Sequence, residues 1–389
     1  MNEWQEIALS DFMLFNPSTY IDKNIQSKKV GMEALAPYNK KIQGYTLSKY
    51  SGGAKFQNGD TLVARITPCL ENGKTAFVDI LEDREVAFGS TEFIVLREKE
   101  GISDAKFISY LATWEEFRDT AIQLMTGSSG RQRVETDALK EKKFTLPNIS
   151  IQHTIAELLS SLDDKIVLLT RQNATLEDLA QSYFRQWFLE ENENEPIIVA
   201  EIATLENNSV NPARKPLEPF YHYSIPAFDN AQTPAVELGK SILSNKFAVQ
   251  ANTILVSKLN PITPRVWRID GKVKPNSVCS TEFQVLKPNN MRHYLFLYFL
   301  MKSYDVITSF AMSATGTSGS HQRIRPEYIL EVEAPAPDDE KLTFFNELCT
   351  PMLERVKNNQ KQIQTLQKIR DTLLPKLISG EISIKLQGR

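Results

Sequence analysis

Apolar residues recur along this chain at two spacings. Between 155 and 187, Ile155, Leu159, Leu162, Ile166, Leu169, Asn173, Leu176, Ala180, Tyr183 and Trp187 follow one another at alternating intervals of four and three residues. That is a heptad seam, and it predicts a long coiled-coil helix. Displaced by 190 residues, the same spacing returns as Phe345, Cys349, Met352, Val356, Asn359, Ile363, Leu366, Arg370, Leu373 and Leu377. One chain therefore carries two helices able to face each other, and two separate amphipathic helices are the alternative. The second spacing is the alternation of strands, as in GDTLVARITP (59–68) and STEFIVLR (90–97).

A seam tolerates a lone Asn only where a partner amide satisfies it. Asn173 and Asn359 are the seam amides. If they meet in an antiparallel pair, Ile166 faces Leu366, Leu169 faces Ile363 and Leu176 faces Val356. Every rung then lands on a seam position. Tyr183 against Cys349 and Leu159 against Leu373 close the ladder, while Leu162 meets Arg370, whose guanidinium must then reach water.

In chain order, alternation in Trp4, Ile7, Leu9 and Phe12 predicts a strand. The two strands above follow, with Arg65 near the end of the first. A helix over 105–124 leads to TGSSGRQRV (126–134), and a last strand at 143–146 stops at Pro147, so that Asn148 or Ser150 can cap the long helix. The second half repeats this order. TILVSKLNP (253–261) puts Lys258 in the place of Arg65, STEFQVLK (280–287) echoes the second strand, and a helix over 293–310 leads to TGTSGSHQRI (315–324). Asp338 is a good cap for the second long helix, which Pro375 is expected to interrupt. The expected domains are 1–147, a central helix 148–192, 193–337 and a C-terminal helix 338–389.

The fold class is α+β: two repeated α/β domains separated by a two-helix antiparallel coiled coil with pseudo-two-fold symmetry. Such a coil, roughly 50 Å long at a rise of ~1.5 Å per residue, would carry one head at each end. Two heads on one face of a duplex, a turn of ~34 Å apart, would suit B-DNA. The heads differ in the stretches between framework strands, 43–56 against 215–234, so two unlike half-sites would be read.

Composition narrows the classes. With 41% apolar and 24% charged residues, the chain is ordinary globular material. Cys69, Cys279 and Cys349 are too few for a disulfide framework and share no ligand spacing with the four histidines, so neither a metal nor a cofactor is expected. A start without a basic, apolar leader and the lack of a run of ~18 apolar residues point to a cytoplasmic protein off the membrane. The net charge of −3 is gathered in 151–196, notably Glu190, Glu191, Glu193 and Glu195, which read as a solvated linker. Phosphate binding must therefore come from local clusters.

The duplication, the paired STEF strands, the Gly-Ser loops and the LLPKLISGEI ending (373–382) resemble the DNA specificity subunit of type I restriction-modification systems. That resemblance implies two target recognition domains that read a bipartite asymmetric DNA site, helices that dock two methyltransferase subunits, and a restriction subunit that translocates DNA. It implies no chemistry in this polypeptide. The residues agree, because GKT at Gly73 and GKS at Gly239 lack the first glycine of a phosphate loop, Pro68 and Pro234 standing there. No catalytic residue is expected. Two alternatives remain: a specificity subunit whose partner fuses methylation and cleavage, or a coiled-coil spacer that does not touch DNA.

For DNA contact the candidates are Gly127, Ser128, Ser129, Gly130, Arg131, Gln132 and Arg133, with Gly316, Thr317, Ser318, Gly319, Gln322 and Arg323 as the second copy. Backbone amides and hydroxyls can hold a phosphate, and Arg or Gln can pair with base edges. The bland reading is a helix-to-strand turn with solvated arginines. Arg65 and Lys258 are weaker candidates, and Lys40 and Lys41 form a basic pair. Leu158, Leu168, Leu179, Phe184, Phe188, Leu348, Leu353 and Ile369 lie off the seam, where a two-stranded coil leaves them exposed, and are the expected docking surface for methyltransferase helices.

Overall fold

A computed structural model describes residues 3–315 and 322–383. The chain is α+β and divides into two compact units, Met1–Thr170 with Gln360–Arg389, and Arg171–Asn359.

In the first unit, Trp4–Ala8 pairs antiparallel with Lys143–Pro147. The alternation read there ends sooner than expected. Leu9–Phe12 is a single helical turn, which puts Leu9 and Phe12, three residues apart, on one buried face. An antiparallel sheet follows in the order Met13–Phe15, Phe93–Glu98, Thr61–Ala64, Thr75–Phe77. Thr61–Ala64 is buried at every position, as a strand covered on both faces requires. A second sheet runs Thr46–Lys49, Gln26–Val30, Ala87–Gly89, Lys55–Phe56, its central pair parallel. The expected helix over 105–124 breaks at Trp114 into Ala105–Thr113 and Glu115–Gln123. The Trp114 indole packs edge-on against Phe144, 6.2 Å away.

The second unit repeats both sheets in the same order. The first is Ala203–Leu205, Phe283–Pro288, Thr253–Ser257, Val266–Ile269. The second is Ala235–Leu238, Pro219–Tyr223, Ser277–Cys279, Lys246–Ala248, with Ser209–Val210 added at the edge. Its parallel pair, Pro219–Tyr223 with Ser277–Cys279, matches the parallel pair of the first unit. The helix again breaks, into Tyr294–Met301 and Tyr304–Ser313, and the first piece is buried throughout. Among the described residues no single helix is long and apolar enough to cross a membrane.

The first long helix, Ile149–Phe184, is capped by Asn148, whose Oδ1 accepts from the Ile151 amide at 3.1 Å, and it passes into a π-helical turn, Arg185–Glu190. The second, Asp339–Ile378, is capped by Asp338, which accepts from Glu340 and Lys341 at 2.9 Å. Pro375 does not interrupt it. A proline this close to the end costs one backbone bond to the preceding turn, and the burial of Leu377 and Ile378 offsets that loss.

Within each unit the two helices run antiparallel. In the second, Asn359 Nδ2 donates to Asn173 Oδ1 at 2.8 Å and to Gln172 Oε1 at 2.9 Å, while the Phe345 ring lies 6.2 Å from Phe184 and 5.3 Å from Phe188. The first helix rises as the second descends. In the first unit, Arg370 Nη1 donates to Asp163 Oδ1 at 2.7 Å, and Ile155 and Leu159 share a core with Leu377 and Ile378. The Arg370 guanidinium therefore reaches a carboxylate rather than open water.

Candidate DNA interface

The Gly-Ser loop of the first unit is the tip of a small hairpin. Met125–Thr126 pairs antiparallel with Arg133–Val134, and residues 127–131 between them are all exposed. Gly127 turns the chain at φ +119°, a conformation that side chains strain, and the Arg131 amide bonds the Ser128 carbonyl at 3.0 Å. The hairpin is fixed to the segment after strand Thr61–Ala64. Val134 N donates to Arg65 O at 2.8 Å, Thr67 N donates to Gln132 O at 3.1 Å, and Gln132 N donates to Thr67 Oγ1 at 3.0 Å. Gln132 therefore works through its backbone.

Arg133 points to Glu92, the acidic residue of the STEF stretch. Nε donates to both carboxylate oxygens at 3.0 Å and Nη2 to Oε1 at 2.8 Å, while Arg65 Nε reaches Oε2 at 3.3 Å. The hydrogen bonds from Arg133, opposed by burial and aided by Arg65, hold the Glu92 carboxyl below the usual carboxylate range. Arg131 is exposed and makes no ion pair among the described residues. An open cleft beside the cluster is lined by Asn16, Ser18, Thr19, Lys55, Arg65 and Thr91.

The second unit rebuilds this arrangement. Arg323 Nε donates to Glu282 Oε2 at 3.0 Å and Nη2 to Oε1 at 3.1 Å. Ile324 N donates to Lys258 O at 3.0 Å and Asn260 N to Gln322 O at 2.8 Å, the counterparts of the bonds to Arg65 O and Gln132 O. Lys258 takes the place of Arg65 in these backbone bonds, its amide donating to the Glu282 carbonyl at 2.9 Å. Gly316, Thr317, Ser318 and Gly319 lie outside the described residues.

Several other sequence-selected residues stand elsewhere. Lys40 is not a surface phosphate cation: its Nζ sits 3.1 Å from the centre of the Tyr110 ring and 3.3 Å from Asp163 Oδ2, and Lys41 pairs with Asp79. Phe184, Phe188 and Leu353 are not an exposed docking surface. All three are buried in the core of the second unit, because the helix leaves the coil there and becomes part of the head. Leu158, Leu168, Leu179 and Ile369 are exposed, and Leu348 is half-buried. Glu92 and Glu282 are not among the residues expected above, although the sequence carries their signal: an acid at the same place in both STEF copies, 41 residues before an arginine.

Residues 1–178 match the model of the type I restriction modification DNA specificity domain. The specificity subunit of the type I restriction enzyme MjaIX from Methanocaldococcus jannaschii is 28% identical over 67% of this chain and 65% of its own length. That of the type I restriction enzyme HindI from Haemophilus influenzae is 30% identical over 49% of this chain and 42% of its own. The chain thus spans less than two thirds of these relatives. A crystal structure of a type I restriction-modification S subunit from M. genitalium superposes with a TM-score of 0.58 at 17% identity, covering 98% of this chain and 97% of that one, and shares the fold.

Proposed function

We propose that this chain is a DNA specificity subunit of a type I restriction-modification system, like the relatives it matches, and that it reads a bipartite asymmetric DNA sequence and directs methyltransferase and restriction subunits to it. Segments 1–147 and 193–337 are the reading domains, and the chain leaves the chemistry to its partners. The observation that carries this reading is the repeated cluster. Each unit sets an arginine against one STEF carboxylate, joined in the first unit by Arg65, and a cation held the same way at two places suits recognition of the phosphate backbone. Arg65, Arg131 and Arg133 in one unit, with Lys258 and Arg323 in the other, position the backbone. Base readers lie in the unmatched stretches 43–56 and 215–234. The exposed Leu158, Leu168, Leu179 and Ile369 dock helices of the methyltransferase partners.

Co-expression with candidate methyltransferase partners, followed by mapping of methylated adenines, tests the reading. A split asymmetric motif is the expected result. A stable complex that modifies no DNA would contradict it and favour a scaffold.

A further inference from the structure

The two STEF carboxylates grip their arginines side-on. Glu92 takes Nε and Nη2 of Arg133, and Glu282 takes the same two nitrogens of Arg323. A guanidinium carries five donors in a planar fork, so a carboxylate on the Nε edge leaves the outer edge facing away from it. For Arg133, Nη1 has no partner among the described residues, and the side chain is 47% exposed. Both glutamates are held on their own account. Glu92 N donates to Ser90 Oγ at 3.1 Å and Glu282 N to Ser280 Oγ at 3.3 Å, and their carbonyls accept from Arg65 N and Lys258 N. The carboxylate is also the less exposed member of each pair, 20% against 47% for Glu92 and Arg133 and 25% against 44% for Glu282 and Arg323.

Resting on the DNA-binding reading, we infer that Glu92 is a positioning residue that aims the outer edge of Arg133 at a DNA phosphate. The pair is rebuilt in two heads whose variable stretches differ, so it serves a contact common to both half-sites, which is the backbone rather than a base. Fixing the guanidinium beforehand removes side-chain entropy that binding would otherwise cost. Charge alone predicts the opposite, since a carboxylate near a phosphate repels it and its removal would tighten binding. The sign of the effect separates the two.

The test is retention of a fluorescent mixed-sequence duplex by the full chain, purified with its partner subunits, across a salt series. Glu92→Gln weakens binding about fivefold, the worth of one immobilised side chain, with the salt slope unchanged. Arg133→Ala lowers the slope by about one. In the Arg133→Ala background, Glu92→Gln has no further effect. Thermal melts confirm that each variant folds. Unchanged or tighter binding by Glu92→Gln would overturn the inference. So would an equal loss in the arginine-free background, which would assign Glu92 to the turn alone. An unsubstituted complex that retains no duplex at any salt would instead overturn the DNA-binding reading itself.

Discussion

The two units tie a head to a long helix with the same residue types in different proportions. In the first, one carboxylate, Asp163, serves two cations: Lys40 at 3.3 Å and Arg370 at 2.7 Å, with the Tyr110 hydroxyl donating at 2.6 Å. In the second, Glu177 serves one cation among the described residues, Lys302 at 2.6 Å, and accepts from the Tyr298 hydroxyl at 3.4 Å, which stands 3.1 Å from that lysine. The lysines respond oppositely. Burial, against the pull of a shared Asp163, pushes Lys40 from 10.5 down to about 8. Burial works against Lys302 as well, but Tyr298 and Glu177 outweigh it and raise the ammonium above its usual range. Burial prevails at Lys40, where Arg370 shares the carboxylate, and is outweighed at Lys302 by the Tyr298 and Glu177 oxygens.

The second unit also has an aromatic anchor, and removing it should produce the largest effect. Phe184 is fully buried among Phe296, Phe299 and Phe345, with ring centres 5.4–6.2 Å away. Phe184→Ala should cost about 4 kcal/mol. Hydrogen exchange followed peptide by peptide should show protection lost in residues 171–359 and kept in 1–170. Equal loss in both would mean the units are not separately stabilised.

Next comes Asp163→Ala, which strands two cations and should cost about 3 kcal/mol, whereas Glu177→Gln strands one and should cost less. The comparison fails if the order is reversed in urea unfolding curves. Smaller again is the effect of pH. Because folded Lys40 holds its proton less tightly than the unfolded chain, the unfolded state binds more protons between pH 8 and 10.5, and stability of the first unit rises across that window. Lys302 has the opposite shift. Its contribution is complete below 10.5 and is lost only at higher pH, so the second unit should stay flat over the same range. Lys40→Met should abolish the rise. The smallest net change belongs to Asn173→Leu with Asn359→Leu, since replacing both partners of a buried hydrogen bond is nearly neutral. Asn359→Leu alone leaves Asn173 unpaired and should be the less stable protein in the same melts.

The Asn173–Asn359 rung was legible because a buried amide demands a partner and the heptad fixes where that partner stands. The strand order of the second unit followed from the first, since STEF and the Arg65 and Lys258 strands recur in step. The heptad misled at Phe184, Phe188 and Leu353: it assumes a two-stranded coil to the end, and here the helix enters a globular core through the turn Arg185–Glu190. The pairing of Lys40 with Asp163 spans 123 residues, and that of Glu92 with Arg133 spans 41. No local spacing encodes the first, and the second shows only when the two repeats are set side by side, where the same 41-residue separation recurs.

The central claim is that two unlike heads read two unlike half-sites. It is tested most directly by replacing residues 215–234 with the equivalent stretch of a relative and mapping the methylated adenines made by the complex. The account predicts a motif changed in one half and unchanged in the other. A change in both halves, or an undivided motif before and after the exchange, would contradict it.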